Sequence, residues 1–262
     1  MEREQPRHRV QAGRGGRGRP GGGPWVLAIE TATRVLSVAL LQGRRVVAEL
    51  SAEGPRVHSE RLLPAIDRVL GEAECRLEDV DALAVSAGPG SFTGLRIGMA
   101  TIKGLAFGEA RAVVPVSTLA ALRLAAAAAP GPVASLLDAR RGELYAGAWQ
   151  GPGPEAPPLW PESVLAPAAI AERLPEGSTL VVGEDAAAGA EAVLEARPGA
   201  FARVGAPEVG ARAPWIGSLA LDALAAGQTV AADALLPRYL RRAEAEVKRT
   251  GEPLEPAPGG LP

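Results

Sequence analysis

The chain has 262 residues, enough for one large domain or two small ones with a sizeable buried core. Of its 28 basic and 30 acidic residues, six Arg and two Glu fall in the first 24 positions, so 25–262 holds 22 basic and 28 acidic residues, a balance of −6. An acidic body excludes a stand-alone nucleic-acid binder, which needs a concentrated basic face to displace counterions, and the single cysteine, Cys75, excludes an internal disulfide or a cysteine metal cluster.

Residues 1–24 alternate Arg and Gly without an apolar period and are expected to be a disordered tail, since they cannot order themselves by burial. Such a tail is compatible with an RNA-touching arm, a plain solvated extension or a start codon placed too far upstream. Neither a long apolar span nor a signal-peptide core is visible, so no membrane contact and a cytoplasmic location are expected.

From Trp25 the apolar pattern begins. Trp25 to Glu30, Val35 to Leu41 and Val46 to Leu50 read as three strands with short connections, an antiparallel meander. Ser59 to Leu70 carries Leu62, Leu63, Ile66, Val69 and Leu70 at helical spacing, with Ser59 placed to cap it and Pro64 expected to kink or loosen its first turn.

Asp81 to Ser86 reads as a strand that stops at Gly88-Pro89-Gly90, where Pro89 fixes φ and the glycines tolerate positive φ, so a sharp turn is required. Ser91 and Thr93 offer capping hydroxyls. The helix from Leu95 to Phe107 follows, with Leu95, Ile97, Met99, Ile102, Leu105, Ala106 and Phe107 on an apolar face wide enough to be buried on more than one side. Gly94, Gly98 and Gly104 each cost about 1 kcal/mol in a helix interior, so something must approach closely there. Phe92, lying between the two hydroxyls, completes a loop that could cradle phosphate through backbone N–H groups at a helix N-terminus.

Val113 to Val116 and Thr118 to Ala129 add a strand and a helix, and Val133 to Leu137 with Leu144 to Trp149 restart a hairpin around Asp138-Ala139-Arg140-Arg141-Gly142-Glu143. Gln150 to Pro161 reads as a Pro/Gly-rich surface connection. Ala168 to Leu174 (helix), Thr179 to Val182 (strand), Ala186 to Ala196 (helix) and Pro214 to Ala226 (helix) then repeat the earlier order more weakly. Leu235 to Leu240 is expected to close a sheet, and the charged end to fray. The fold class is therefore α/β, with two mixed sheets, each with a meander edge and flanking helices. The expected boundaries are 1–24 tail, 25–130 first lobe, 131–242 second lobe and 243–262 frayed tail.

WVLAIETAT, HSERLLPAID, GPGSFTGLRIGMATIKGLAFG, VPVSTLAAL, DARRGELY and LPRYLR stand in the order and spacing of the bacterial TsaB (YeaZ) family of tRNA threonylcarbamoyladenosine biosynthesis subunits, which this chain resembles from Trp25 to about Arg242. The resemblance implies an actin-like (ASKHA, ribonuclease H-like) fold of two lobes, the second degenerate. It also implies a non-catalytic role: pairing with the paralogous catalytic subunit TsaD and the ATPase TsaE to move threonylcarbamoyl from its adenylate to the tRNA adenosine 3′ of the anticodon. TsaD carries a His-x-Glu-Gly-His pair that holds a metal, where this chain reads Thr118-Leu119-Ala120-Ala121-Leu122, so no metal is expected here. In that family the helices of the first lobe dock the partner, or a second copy when the partner is absent. The implied interface is His58, Ser59, Leu62, Leu63, Ile66, Arg96, Met99, Ile102 and Lys103, with Gly94, Gly98, Ala100, Gly104 and Ala106 permitting close approach.

Two other classes stand against this reading. An ATP-dependent phosphotransferase of the same superfamily needs a second phosphate loop; Glu30-Thr31-Ala32-Thr33 lacks the usual glycine, and Val182-Gly183-Glu184-Asp185 lacks a glycine pair. Independent ATP binding is therefore not expected, while ATP or ADP held at the interface with TsaD fits the resemblance. A metallopeptidase would need the histidines that Thr118 and Leu122 displace. Asp138, Arg140 and Glu143 read as a solvated turn with an Arg–carboxylate contact, and His58, without a nearby nucleophile, as a capping or interface residue.

Overall fold

The computed structural model describes residues 8–10, 22–54, 57–108, 111–209 and 212–241; the expectations for the rest of the Arg/Gly tail and for the frayed end lie outside the described residues. The first sheet contains β1 (His8–Val10), β2 (Trp25–Glu30), β3 (Val35–Gln42), β4 (Arg45–Glu53), β5 (Ala82–Gly88) and β6 (Ala112–Ser117), in the order β1-β4-β3-β2-β5-β6. Its meander is antiparallel, and β5 and β6 run parallel to β2. The second holds β7 (Val133–Asp138), β8 (Leu144–Trp149), β9 (Pro158–Leu165), β10 (Thr179–Gly183) and β11 (Ala202–Val209), in the order β11-β10-β7-β8-β9. Leaving β1 aside, both sheets place a parallel strand pair beside a three-strand meander in the same order, so the second half repeats the first.

Three strands were not expected. β9 and β11 both end the order of the second sheet, and both contain proline (Pro158 and Pro161; Pro207). Edge strands tolerate a missing N–H, which is why a Pro-rich stretch read as a connection forms a strand. β1 pairs with β4 through the backbone of His8 to Val10, and edge pairing needs no apolar period. Conversely, Leu235 to Leu240 forms no strand: Leu235 is buried in the first lobe's core while the rest runs as extended chain across both lobes.

α1 (Val57–Glu72) and α2 (Phe92–Leu105) cover one face of the first sheet. Leu27, Ile29, Leu36 and Val38 meet Leu62, Ile66 and Val69 of α1 and Met99 and Ile102 of α2. α1 begins before Ser59, which therefore lies inside the helix rather than capping it, and it continues through Pro64. Pro64 and Glu60 are both exposed, so the carbonyl that loses its helical partner faces water. α2 starts at Phe92, three residues before the expected Leu95, and Ser91 caps it, its Oγ accepting from the Gly94 amide at 3.2 Å, while Thr93 is exposed.

The last helix of each half packs on the other half's sheet. α3 (Thr118–Arg123) puts Leu119 and Leu122 against Val133, Leu137, Trp149 and Val181 of the second sheet. α6 (Ala213–Ala225) puts Ile216, Ala220 and Leu221 against Val26, Ala28, Ala39 and Leu41 of the first, its Ala213 amide donating to Ser37 Oγ at 3.1 Å. Burying a side chain such as Ile216 is worth about 1.5–3 kcal/mol, so this exchange ties the lobes together. A boundary at 130/131 divides the sheets but not the helices. α4 (Pro167–Arg173) and α5 (Ala187–Ala196) complete the second lobe's outer layer.

Candidate functional site: the cleft between the lobes

A cleft of about 790 Å³ opens between the lobes. Four turns line it: Ala32 to Arg34 after β2, Pro89 to Phe92 after β5, Asp138 to Arg141 after β7, and Glu184 and Asp185 after β10. The chain segment from Arg238 to Arg241 forms another wall.

The glycine loop is folded inward on the β2–β3 turn. The Ser91 amide donates to the Ala32 carbonyl at 2.7 Å, the Leu95 amide to the Ser91 carbonyl, and Pro89 has no N–H. Gly88 and Gly90 have φ of 113° and 156°, and a Cβ on Gly90 would lie 2.4 Å from the Ala32 oxygen. A Cβ on Gly94 would lie 1.9 Å from the Thr31 carbonyl oxygen, and one on Gly98 2.3 Å from Thr31 Oγ1. The close approach that these glycines permit is thus to the chain's own β2–β3 turn. This corrects the expectation that they serve a partner; Ala106 is buried as well, and of the five small residues Ala100 and Gly104 are exposed, with open space above Gly104.

Beneath that turn lies Glu30, fully buried, whose Oε1 accepts from the Ala32 and Thr33 amides at 2.6 and 3.0 Å. Burial pushes its carboxyl up to about 7, against the opposing hydrogen bonds from Ser86 and those two amides. Sequence reasoning passed over it as the end of a strand; an acid closing the apolar run WVLAIE was the available signal. Across the cleft, Glu184 accepts from the Arg34 amide, and its carboxyl is also raised, chiefly by burial. The Arg34 guanidinium bridges Glu53 of its own lobe and Asp185 of the other, each at 3.1 Å.

The β7–β8 turn carries the Arg–carboxylate contact expected, but only Arg140 of its charged trio is exposed, Asp138 and Glu143 being half-buried. Asp138 accepts from the Arg140 amide at 2.9 Å and meets its guanidinium at 3.4 Å, while Glu143 pairs with Arg241. His58 lies on the cleft wall, half-buried, its imidazole held below its ordinary pKa by burial, against a hydrogen bond to the Thr33 backbone. It therefore joins α1 to the β2–β3 turn and does not cap the helix.

Of the residues expected at an interface, Leu62, Ile66, Met99 and Ile102 are 2, 2, 4 and 0% exposed and belong to the core. This is a correction with a simple cause: both helices turn their widest apolar stripe to the sheet, leaving little for a second contact. Leu63 is 57% exposed, Ser59 and Arg96 are exposed, and Lys103 donates to the Asp233 carbonyl at 3.2 Å. Phe107, expected on the buried apolar face of this helix, instead lies just beyond α2 and is 89% exposed.

Thr118 and Leu122, at the positions compared with a metal-binding histidine pair, are both fully buried, Leu122 in the apolar cluster between α3 and the second sheet. Among the described residues no three His, Cys, Asp or Glu side chains are grouped so as to hold a metal ion, and no helix is long and apolar enough to cross a membrane. Cys75 is half-buried, its thiol pushed up to about 11 by burial.

Two mixed sheets of one order, exchanging their last helices around a cleft, define an actin-like, ASKHA-type two-lobed protein. The model of the family described as "TsaD: tRNA N6-adenosine threonylcarbamoyltransferase" matches residues 47–193. The tRNA threonylcarbamoyladenosine biosynthesis protein TsaB of Escherichia coli K12 is 35% identical over 243 residues, 87% of this chain and 99% of that protein. TsaB of Haemophilus influenzae is 42% identical over 122 residues, 46% of this chain and 51% of that one. The solved structure of YeaZ from Pseudomonas aeruginosa, 35% identical, superposes with a TM-score of 0.70 over 82% of this chain and 100% of its own. The chain belongs to the TsaB (YeaZ) family.

Proposed function

We propose that the chain is the non-catalytic, activating subunit of the apparatus that forms threonylcarbamoyladenosine in tRNA. It pairs with TsaD and works with TsaE while TsaD transfers threonylcarbamoyl from its adenylate to the adenosine 3′ of the anticodon, in the cytoplasm where the tRNA is. The biosynthetic role follows the name of the Escherichia coli relative, which aligns over 99% of its length. The division of labour is carried by one observation: the positions of TsaD's metal-binding histidines are occupied by Thr118 and Leu122, both sealed in the core. The inward-tied glycine loop and ion-paired cleft support it, since the Ser91 and Gly94 amides of the loop donate to the protein itself.

Docking uses the outward faces of α1 and α2: Ser59, Leu63, Arg96, Ala100, Gly104 and the adjoining Phe107, with His58 and Lys103 at the margin. The same face makes a homodimer when TsaD is absent. The chain binds no nucleotide by itself, and ATP or ADP sits at the interface with TsaD. Reconstitution tests this. TsaD, TsaE, threonylcarbamoyl-adenylate and tRNA are combined with each protein omitted in turn; modification must fall when this chain is left out, and this chain alone must give none. Modification that persists without it refutes the reading.

A further inference from the structure

The segment after α6 makes contacts that neither the fold nor the proposed role requires. Val230 bridges to Val113 at the edge of β6, and the Asp233 carbonyl accepts from Lys103 of α2. Leu235, 1% exposed, anchors in the first lobe's core. The Arg238 amide then donates to the Ala87 carbonyl at 2.7 Å, extending the chain along the end of β5, and its carbonyl lies where a Cβ on Gly88 would come within 2.6 Å. Tyr239 stacks on Phe92 at 4.9 Å, with the Arg96 guanidinium 3.8 Å from the Phe92 ring centre and bonded to the Tyr239 hydroxyl at 3.3 Å. All of these contacts are to the first lobe.

The two arginines of the same segment reach the other way. Arg238 pairs at 2.8 Å with Glu162 of β9, and Arg241 donates to the Ala139 carbonyl at 2.5 Å and pairs with Glu143 in the β7–β8 turn. Glu162 and the Arg241 side chain are 9% and 8% exposed while their partners Arg238 and Glu143 are 47% and 35% exposed, so each pair is sheltered from solvent on one side.

We propose that residues 233–241 form a clamp that fixes the separation of the two lobes: Leu235 and Tyr239 hold it to the first lobe, Arg238 and Arg241 hold it to the second, and it crosses the glycine loop between them. The cleft then has one width in the free protein, and releasing the two arginines lets it open about the remaining contacts of α3, α6, Arg34 and the Ser117 hydroxyl, which donates to Glu162. The inference is independent of the role proposed above.

The test uses the full chain with Cys75→Ser and spin labels at Asp67→Cys on α1 and Glu176→Cys after α4, both exposed positions on different lobes. Double electron–electron resonance gives the interlobe distance distribution. Arg238→Ala/Arg241→Ala must broaden it and move it to longer distance, and Arg76→Ala, whose pair with Glu78 lies within the first lobe, must leave it unchanged. Glu143→Gln, close to isosteric, loosens the same contact from the second lobe and must shift the distribution in the same direction; this keeps the test available if the double variant does not fold. An unmoved distribution in the variants that fold overturns the clamp.

Discussion

Gly94→Ala separates a glycine kept for the protein's own packing from one kept for a partner. The new methyl lands 1.9 Å from the Thr31 carbonyl oxygen, a backbone atom of the β2–β3 turn. Ordinary contacts lie near 3.5 Å, so either α2 or the turn must move by over an ångström. Overpacking of this kind costs about 1–3 kcal/mol, and a backbone obstacle places it at the top of that range. Replacing a helical glycine by alanine returns about 1 kcal/mol, leaving a net loss of about 2 kcal/mol. In a protein of this size, that lowers Tm by roughly 4–8 °C. Gly104→Ala is the control: nothing lies within 4 Å, so the propensity gain of up to about 1 kcal/mol stands alone and raises Tm by roughly 2–4 °C. Urea and thermal denaturation of the isolated chain read both. Equal effects of the same sign refute the packing argument.

Other outcomes follow from burial and charge. Glu30 has a carboxyl raised from 4.5 to about 7, so the folded state binds the extra proton between those values; stability therefore falls as pH rises through this window, by about 3 kcal/mol, and is fully present below it. Glu30→Gln should flatten that slope in urea titrations at pH 5 and 7.5. Ile102→Glu buries an unpaired charge at a fully covered position and should unfold the protein, whereas Leu63→Glu at a 57% exposed position should leave its Tm within a few degrees, as circular dichroism will show. Arg34→Ala removes pairs whose side chains are about half exposed and should cost under about 1 kcal/mol, measured by the urea midpoint.

Much of the fold was legible because its central strands and helices obey simple periods. WVLAIE, VLSVALL and the helix from Ser59 carry apolar residues at spacings that leave little choice, and Gly88-Pro89-Gly90 can only turn. The edge strands β9 and β11 were not legible, since their prolines are admissible only at an edge, and position in a sheet is not written in a local pattern. Nor was the exchange of α3 and α6 between sheets, which depends on contacts between distant segments. At the site, Asp138 and Arg140 announced their own pairing through proximity. Arg34 and Arg241 reach Asp185 and Glu143 only when distant segments meet at the cleft, and Glu30 takes its partners from the turn beside it once its strand is buried. The helix faces misled for the opposite reason: Leu62 and Leu63 are neighbours in an apolar run, yet one is core and the other surface, and periodicity alone does not say which side of a broad stripe faces the sheet.

The central claim is that this chain contributes a docking surface and no chemistry, and it is tested most directly by adding Leu63→Glu/Phe107→Glu to the reconstituted reaction in place of the unaltered chain. Both side chains are exposed, so a folded protein is expected. The account predicts unchanged stability together with loss of both co-purification with TsaD and stimulation of threonylcarbamoyl transfer. Full stimulation by the folded variant, or transfer by the unaltered chain without TsaD, contradicts it.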